Sequence, residues 1–185
     1  MRNKKGENRV YIWSGIIVEG QLNDVKAKAI AAEKKLGVPT LFDFPQHVSV
    51  KISFYVPEEK YRDAIDFLTD YYSGLTTFSI PVKGIEQDGI IVWVRTGECK
   101  ELIKIQNDMN SLLGKKFGVP LHEYDTDFKF HSTLFIGDEE KVKEFYEEVK
   151  TAKVPAMLKA EKAGIAVSEE GKTNDFKIIK TINFQ

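Results

Sequence analysis

One short phrase occurs twice in this chain. Lys34-Lys35-Leu36-Gly37-Val38-Pro39 precedes His47-Val48-Ser49-Val50, and Lys115-Lys116-Phe117-Gly118-Val119-Pro120 precedes His131-Ser132-Thr133-Leu134. The offset is 81 residues at the lysines and 84 at the histidines. In each copy paired lysines suit the negative end of a helix dipole, glycine can take the left-handed cap, and proline forbids continuation. Each copy then leads through a connecting segment into a strand-like run carrying His, any residue, Ser or Thr, and an apolar residue. Such a repeat predicts two related units, each delivering one histidine and one hydroxyl to a shared site.

Hydrophobic periodicity supplies the rest of the outline. Val10–Val18 reads as a strand, and residues 1–8 as a frayed polar start. A helix capped by Asn23 or Asp24 carries the stripe Leu22, Val25, Ala29, Ala32, Leu36. The strand His47–Val56 follows, then a helix opened by Pro57-Glu58-Glu59 with Tyr61, Ile65, Leu68 and Tyr72 on one face. Thr76–Val82 and Ile90–Arg95 form paired strands around Gln87-Asp88-Gly89. The order then recurs. A helix from Glu98 to Lys116 turns Leu102, Ile105, Met109 and Leu112 inward, Phe128–Ile136 is a strand, and Asp138 starts a helix bearing Val142, Phe145, Tyr146 and Val149. Strands near Ala156–Val167 and Phe176–Asn183 flank a turn at Gly171 to Asp175. The expected fold class is α+β: a single bilobed domain over 1–185, with two pseudo-symmetric lobes, each an antiparallel sheet with flanking helices. Approximate repeat units span 10–96 and 98–185, strands can be shared between lobes, and the cleft lies between them.

Composition excludes several classes. Lys and Arg total 27 against 28 Asp and Glu, a net charge of −1, so an extended nucleic-acid surface is not expected. The single cysteine, Cys99, can form neither an internal disulfide nor a sulfur-rich metal cage. No apolar run approaches the roughly 18 residues of a membrane span and no signal-peptide core follows the start, so the expected setting is soluble, reducing and cytoplasmic. Gly-x-Ser-x-Gly elbows, His-x-x-x-His zinc spacing and Gly-rich phosphate loops are missing from the sequence. No metal and no cofactor are expected. Oligomeric state is unreadable.

In a strand, alternate side chains share a face. His47 and Ser49 therefore point together, as do His131 and Thr133. Two such pairs can grip a phosphodiester from opposite sides, one neutral imidazole taking a proton and the other, as imidazolium, giving one. The hydroxyls stabilise charge on the non-bridging oxygens. These paired motifs resemble those of the two-histidine (2H) phosphoesterases, which include the bacterial LigT-like proteins labelled 2′-5′ RNA ligases and cyclic nucleotide phosphodiesterases. The resemblance covers the layout from Val10 to the C-terminus. It implies a bilobed fold and metal-independent chemistry on 2′,3′-cyclic phosphates or 2′-5′ bonds of RNA ends or small nucleotides. His47 and His131 would be the acid–base pair, and Ser49 and Thr133 the phosphate contacts. The chain departs from many relatives in lacking a basic residue shortly after the second motif, where it reads Phe135-Ile136-Gly137.

Strand alternation offers substitutes. Lys51 falls on the His47 face and Lys129 on the His131 face, if both strands run straight. Each is either a pocket cation or a strand-end lysine snorkelling to solvent. Tyr11 and Trp13 either stack on a base or pack in the core, and Tyr124 is a further loop aromatic. His122, without a hydroxyl two residues on, reads as surface. A cleft of this kind can also bind a nucleotide or phosphometabolite without turning it over, and that alternative stands beside the enzyme.

Overall fold

Residues 9–172 and 175–185 are described by the computed structural model of the protein. The expected fraying of residues 1–8, and positions 173 and 174 of the expected turn, lie outside the described residues. In chain order the elements are β1 (Arg9–Ile17), α1 (Asn23–Leu36), β2 (His47–Ser49), β3 (Phe54–Pro57), α2 (Tyr61–Ser73), β4 (Phe78–Asp88), β5 (Ile91–Thr96) and α3 (Lys100–Phe117). Then follow β6 (His131–Ile136), α4 (Glu139–Val149), β7 (Met157–Ala160), β8 (Lys162–Ser168) and β9 (Lys177–Asn183).

Both copies of the repeated phrase end a helix in the same way. Gly37 sits at φ 62° and Gly118 at φ 71°, left-handed caps whose amides bond back to the carbonyls of Glu33 and Gly114. The helices bury one stripe each: Val25, Ala29 and Ala32 on α1; Ala64, Leu68 and Tyr72 on α2; Leu102, Ile105, Met109 and Leu113 on α3; Val142, Phe145 and Val149 on α4. These faces merge with the inward residues of the strands into one core.

The strands form two antiparallel sheets, in the orders β2-β1-β8-β9, with β3 also paired to β1, and β6-β5-β4-β7. The two orders correspond strand for strand when β1 is matched to β5, β2 to β6, β8 to β4 and β9 to β7. Neither sheet is drawn from one half of the chain: β8 and β9 join β1, whereas β4 and β5 join β6. The fold is thus α+β, with two antiparallel sheets and flanking helices. The histidine strands β2 and β6 stand at the edges of their sheets and pack against each other.

Several boundaries depart from the sequence reading. The strand expected over 47–56 breaks at Val50–Ser53, and the one expected from Phe128 begins at His131. Ala156–Val167 divides into β7 and β8, which lie in different sheets. Leu113, not Leu112, faces the core from α3. Neither Asn23 nor Asp24 caps α1: Leu22 holds the N-cap position, and the Asp24 carboxylate accepts instead from the Lys153 amide at 2.6 Å. The β4–β5 hairpin is longer than expected, turning at Gly89-Ile90 with Gly89 at φ 57°, as a two-residue hairpin loop requires.

Candidate active site

β1 presents Ile12, Ser14 and Ile16 to the core, so Trp13, Gly15 and Ile17 face the other way. Register places Gly15 opposite Ser49 and Ile17 opposite His47. On the second sheet Trp93 lies opposite Thr133 and Arg95 opposite His131. Both histidines thus emerge on the non-core face of an edge strand.

Each ring is fixed by the same device. His47 Nδ1 bonds the Pro45 carbonyl at 2.8 Å, and His131 Nδ1 bonds the Lys129 carbonyl at 2.5 Å. A carbonyl oxygen only accepts, so Nδ1 carries the hydrogen in both rings and Nε2 is left for a ligand. Each ring also rests on a tryptophan, Trp13 with His47 at 4.5 Å between centroids and Trp93 with His131 at 4.3 Å. Phe44 closes on His47 edge-on at 5.2 Å.

The electrostatics of the two differ. Burial pulls the His47 pKa from 6.5 down to about 4, the Pro45 carbonyl opposing and the charge of His131 adding. Burial also lowers His131, with Arg95 pushing the same way while the Lys129 carbonyl and Asp88 pull upward.

The hydroxyls are held by their neighbours. Trp13 Nε1 donates to Ser49 Oγ at 3.0 Å, which occupies an acceptor lone pair and leaves the serine O–H free to donate. Gly15 makes this possible, since a Cβ there would lie 2.6 Å from Trp13 Cζ2 and 2.8 Å from the Val48 carbonyl. Trp13 reaches over Gly15 into the place that Trp93 fills directly in the other sheet. Trp13 is 8% exposed and Trp93 5%. The Trp93 indole N–H and the core-facing Ser132 hydroxyl have no hydrogen-bond partner among the described residues.

A cavity of about 340 Å³ opens beside His47, within the range of small-ligand sites. Trp13, Leu41, Phe42, Phe44, Ile52 and Phe176 make its apolar wall, and His47, Ser49, Lys51 and Thr133 its polar side. His131 and Arg95 stand on the β5–β6 face next to Thr133.

The expected lysines sit otherwise than strand alternation implied. The chain leaves β2 after Ser49, and Lys51 turns inward to form a buried ion pair with Asp125. The same carboxylate accepts from the His122 amide, and Gln106 Nε2 donates to the Asp125 carbonyl. Lys129 is exposed, precedes β6, and pairs with Asp88 at 2.9 Å; its carbonyl, not its ammonium, serves His131. Tyr11 lies on the Trp13 face but beyond the cavity, packed edge-on against Tyr55 at 5.8 Å. Tyr124 is 63% exposed, and His122 caps a short turn by accepting from its amide.

Arg95, Trp93, Phe44, Phe176 and Asp125 were missed by the sequence reading. The Trp93-x-Arg95 alternation parallels His131-x-Thr133 and was the available signal for two of them. Phe44 and Phe176 lie in connecting segments, where no periodicity marks them. No cluster of three or more His, Cys, Asp or Glu able to hold a metal ion occurs among the described residues. No helix among them is long and apolar enough to cross a membrane.

No protein-family model matches the sequence, and no curated protein matches it. Solved structures do. E. coli LigT complexed with NADP+ superposes with a TM-score of 0.60 at 13% identity, covering 95% of this chain and 98% of that one. E. coli LigT complexed with 3′-AMP gives 0.57 at 12% identity, with the same coverage. The chain has the fold of LigT. TT0787 of Thermus thermophilus shares it, with a TM-score of 0.53 at 12% identity over 94% of this chain and 97% of that one.

Proposed function

We propose that the chain is a metal-independent phosphodiesterase acting on 2′,3′-cyclic phosphate or 2′-5′ phosphodiester bonds of RNA ends or small nucleotides. His47 and His131 are the acid–base pair, and Ser49 and Thr133 contact the phosphoryl oxygens. The observation that carries this reading is the matched pair of imidazoles, on strands packed together, each with Nδ1 tied to the carbonyl two residues upstream and Nε2 left for a ligand. One Nε2 accepts the proton of the attacking water or hydroxyl, and the other, protonated, supplies the departing oxygen. The roles exchange when the reaction runs backward. Burial favours the neutral form of both rings, so the acid needs a nearby negative charge to keep its proton, and a bound phosphodiester supplies one.

The nucleotide part of the reading draws on two supports. LigT has been crystallised with 3′-AMP, ATP and NADP+. The cavity next to His47 is walled by Trp13, Phe42, Phe44 and Phe176, aromatic surfaces suited to a base.

Incubation of the purified protein with 2′,3′-cyclic nucleotides in EDTA tests the proposal. The expected result is conversion to a 2′- or 3′-monophosphate, reduced by about 10²–10⁴-fold in His47→Ala and in His131→Ala. Full activity in the double variant would overturn the assignment. Nucleotide binding with no turnover by the wild type would make the cleft a binding module.

A further inference from the structure

Both lysines near the paired histidines are already matched to a carboxylate. The Lys51 ammonium is buried against Asp125, and Lys129 is paired with Asp88. Among the described residues, the cation left beside the histidines is Arg95. It is the cross-strand partner of His131, and Trp93 is the cross-strand partner of Thr133. Directly opposed residues of an antiparallel pair share a face with Cβ atoms about 4.5–5.5 Å apart, so these side chains form one two-by-two patch. The guanidinium carbon lies 5.9 Å from the centroid of the Trp93 ring, and the group has neither a hydrogen bond nor an ion pair among the described residues. Arg95 is half-buried. A guanidinium held near an aromatic ring keeps a planar fork of N–H donors, which matches two phosphoryl oxygens.

The charges around His131 are two cations, Arg95 and Lys129, against one carboxylate, Asp88. One positive charge remains over, equal to the single negative charge of a phosphodiester. The matching position opposite His47 is Ile17, buried and apolar. Attraction for phosphate is therefore one-sided, and apolar surface dominates the other side.

Building on the phosphodiesterase reading, we infer that Arg95 is the phosphate anchor of the site. It holds the phosphoryl group against β5 and β6 while the base enters the cavity under Trp13 and Phe44. In this arrangement the cation that many relatives carry after the second motif is supplied by the neighbouring strand.

Calorimetric binding of 3′-AMP and of adenosine to the full chain, wild type and Arg95→Gln, tests the anchor. The variant should bind 3′-AMP about 10–100-fold more weakly, as expected for a lost charge-assisted pair, with adenosine affinity unchanged. Arg95→Lys should recover only part of the loss, because an ammonium has no fork. The His131 Cε1–H resonance of the ligand-free Arg95→Gln protein should titrate at higher pH than in the wild type. Equal 3′-AMP affinity in wild type and Arg95→Gln overturns the anchor and leaves the phosphodiesterase reading intact. Equal losses for 3′-AMP and adenosine also overturn it. A wild type that binds neither ligand removes both readings together.

Discussion

His47 is enclosed by Trp13 and Phe44, with Nδ1 committed to the Pro45 carbonyl, and its pKa falls from 6.5 to about 4. An unfolded chain therefore takes up a proton at His47 near pH 6.5, whereas the folded chain resists it until about pH 4. The stability that this neutral ring contributes is complete above pH 6.5, declines as pH falls, and is gone below about pH 4. A gap of about 2.5 pH units corresponds to about 3 kcal/mol, and the edge of the ring that meets the cavity reduces this toward about 2. Urea denaturation of wild type and His47→Gln between pH 8 and pH 4 isolates the contribution, because other titrating groups cancel in the difference. The wild type should lose about 2–3 kcal/mol relative to the variant across that window, a midpoint shift of about 1–2 M urea for typical slopes. The His47 Cε1–H resonance should titrate near pH 4. A difference curve that stays flat from pH 7 to pH 4, or a resonance titrating near 6.5, would refute the enclosure of the ring.

Two further outcomes follow from the packing behind the site. Gly15→Ala places a Cβ 2.6 Å from Trp13 and 2.8 Å from the Val48 carbonyl, so the indole or β2 must move. Stability should fall by about 1–3 kcal/mol, with a change in tryptophan emission and, on the proposed function, loss of turnover; wild-type stability and emission would contradict this packing. Asp125→Asn strands the buried Lys51 ammonium and should cost about 3–5 kcal/mol in urea unfolding, most of it recovered in the Asp125→Asn, Lys51→Met double variant. A single variant losing under about 1 kcal/mol would mean that the pair is not desolvated.

The legible parts of this protein are those whose physics is local. Lys34-Lys35-Leu36-Gly37 ends its helix because a glycine accepts positive φ and lysines suit a helix C-terminus, and both facts sit within one turn of chain. The His-x-Ser and His-x-Thr faces follow from strand alternation alone. What escaped depends on partners distant in sequence. β2 ends at Ser49, and Lys51 then turns inward to Asp125, 74 residues away, so straight alternation to Val56 failed there. Arg95 could be placed on a strand face, but its position opposite His131 is a matter of register, which the sequence of β5 does not contain. Sharing of strands between the lobes was allowed for, but which strands cross was hidden for the same reason: a run such as Met157–Ala160 states its conformation and not its neighbour.

The two half-sites agree where proton chemistry would demand it and differ where a ligand must be told end from end. In both, a carbonyl two residues upstream fixes the imidazole tautomer, a tryptophan backs the ring, and a hydroxyl stands two residues on. Proton transfer at two oxygens of one phosphorus asks for such equivalence, since forward and reverse reactions interchange the partners. A nucleotide is not symmetric. It has an anionic group and an aromatic base, and two identical half-sites would accept it in either orientation. For a bound nucleotide, Ile17 and the Trp13–Phe44 cavity on one side, and Arg95 with Lys129 and Asp88 on the other, would break that degeneracy. On the proposed reading, Arg95 and the aromatic wall act on binding orientation, and the histidines act on the bond. Arg95→Gln should therefore be felt chiefly in KM and the histidine replacements chiefly in kcat.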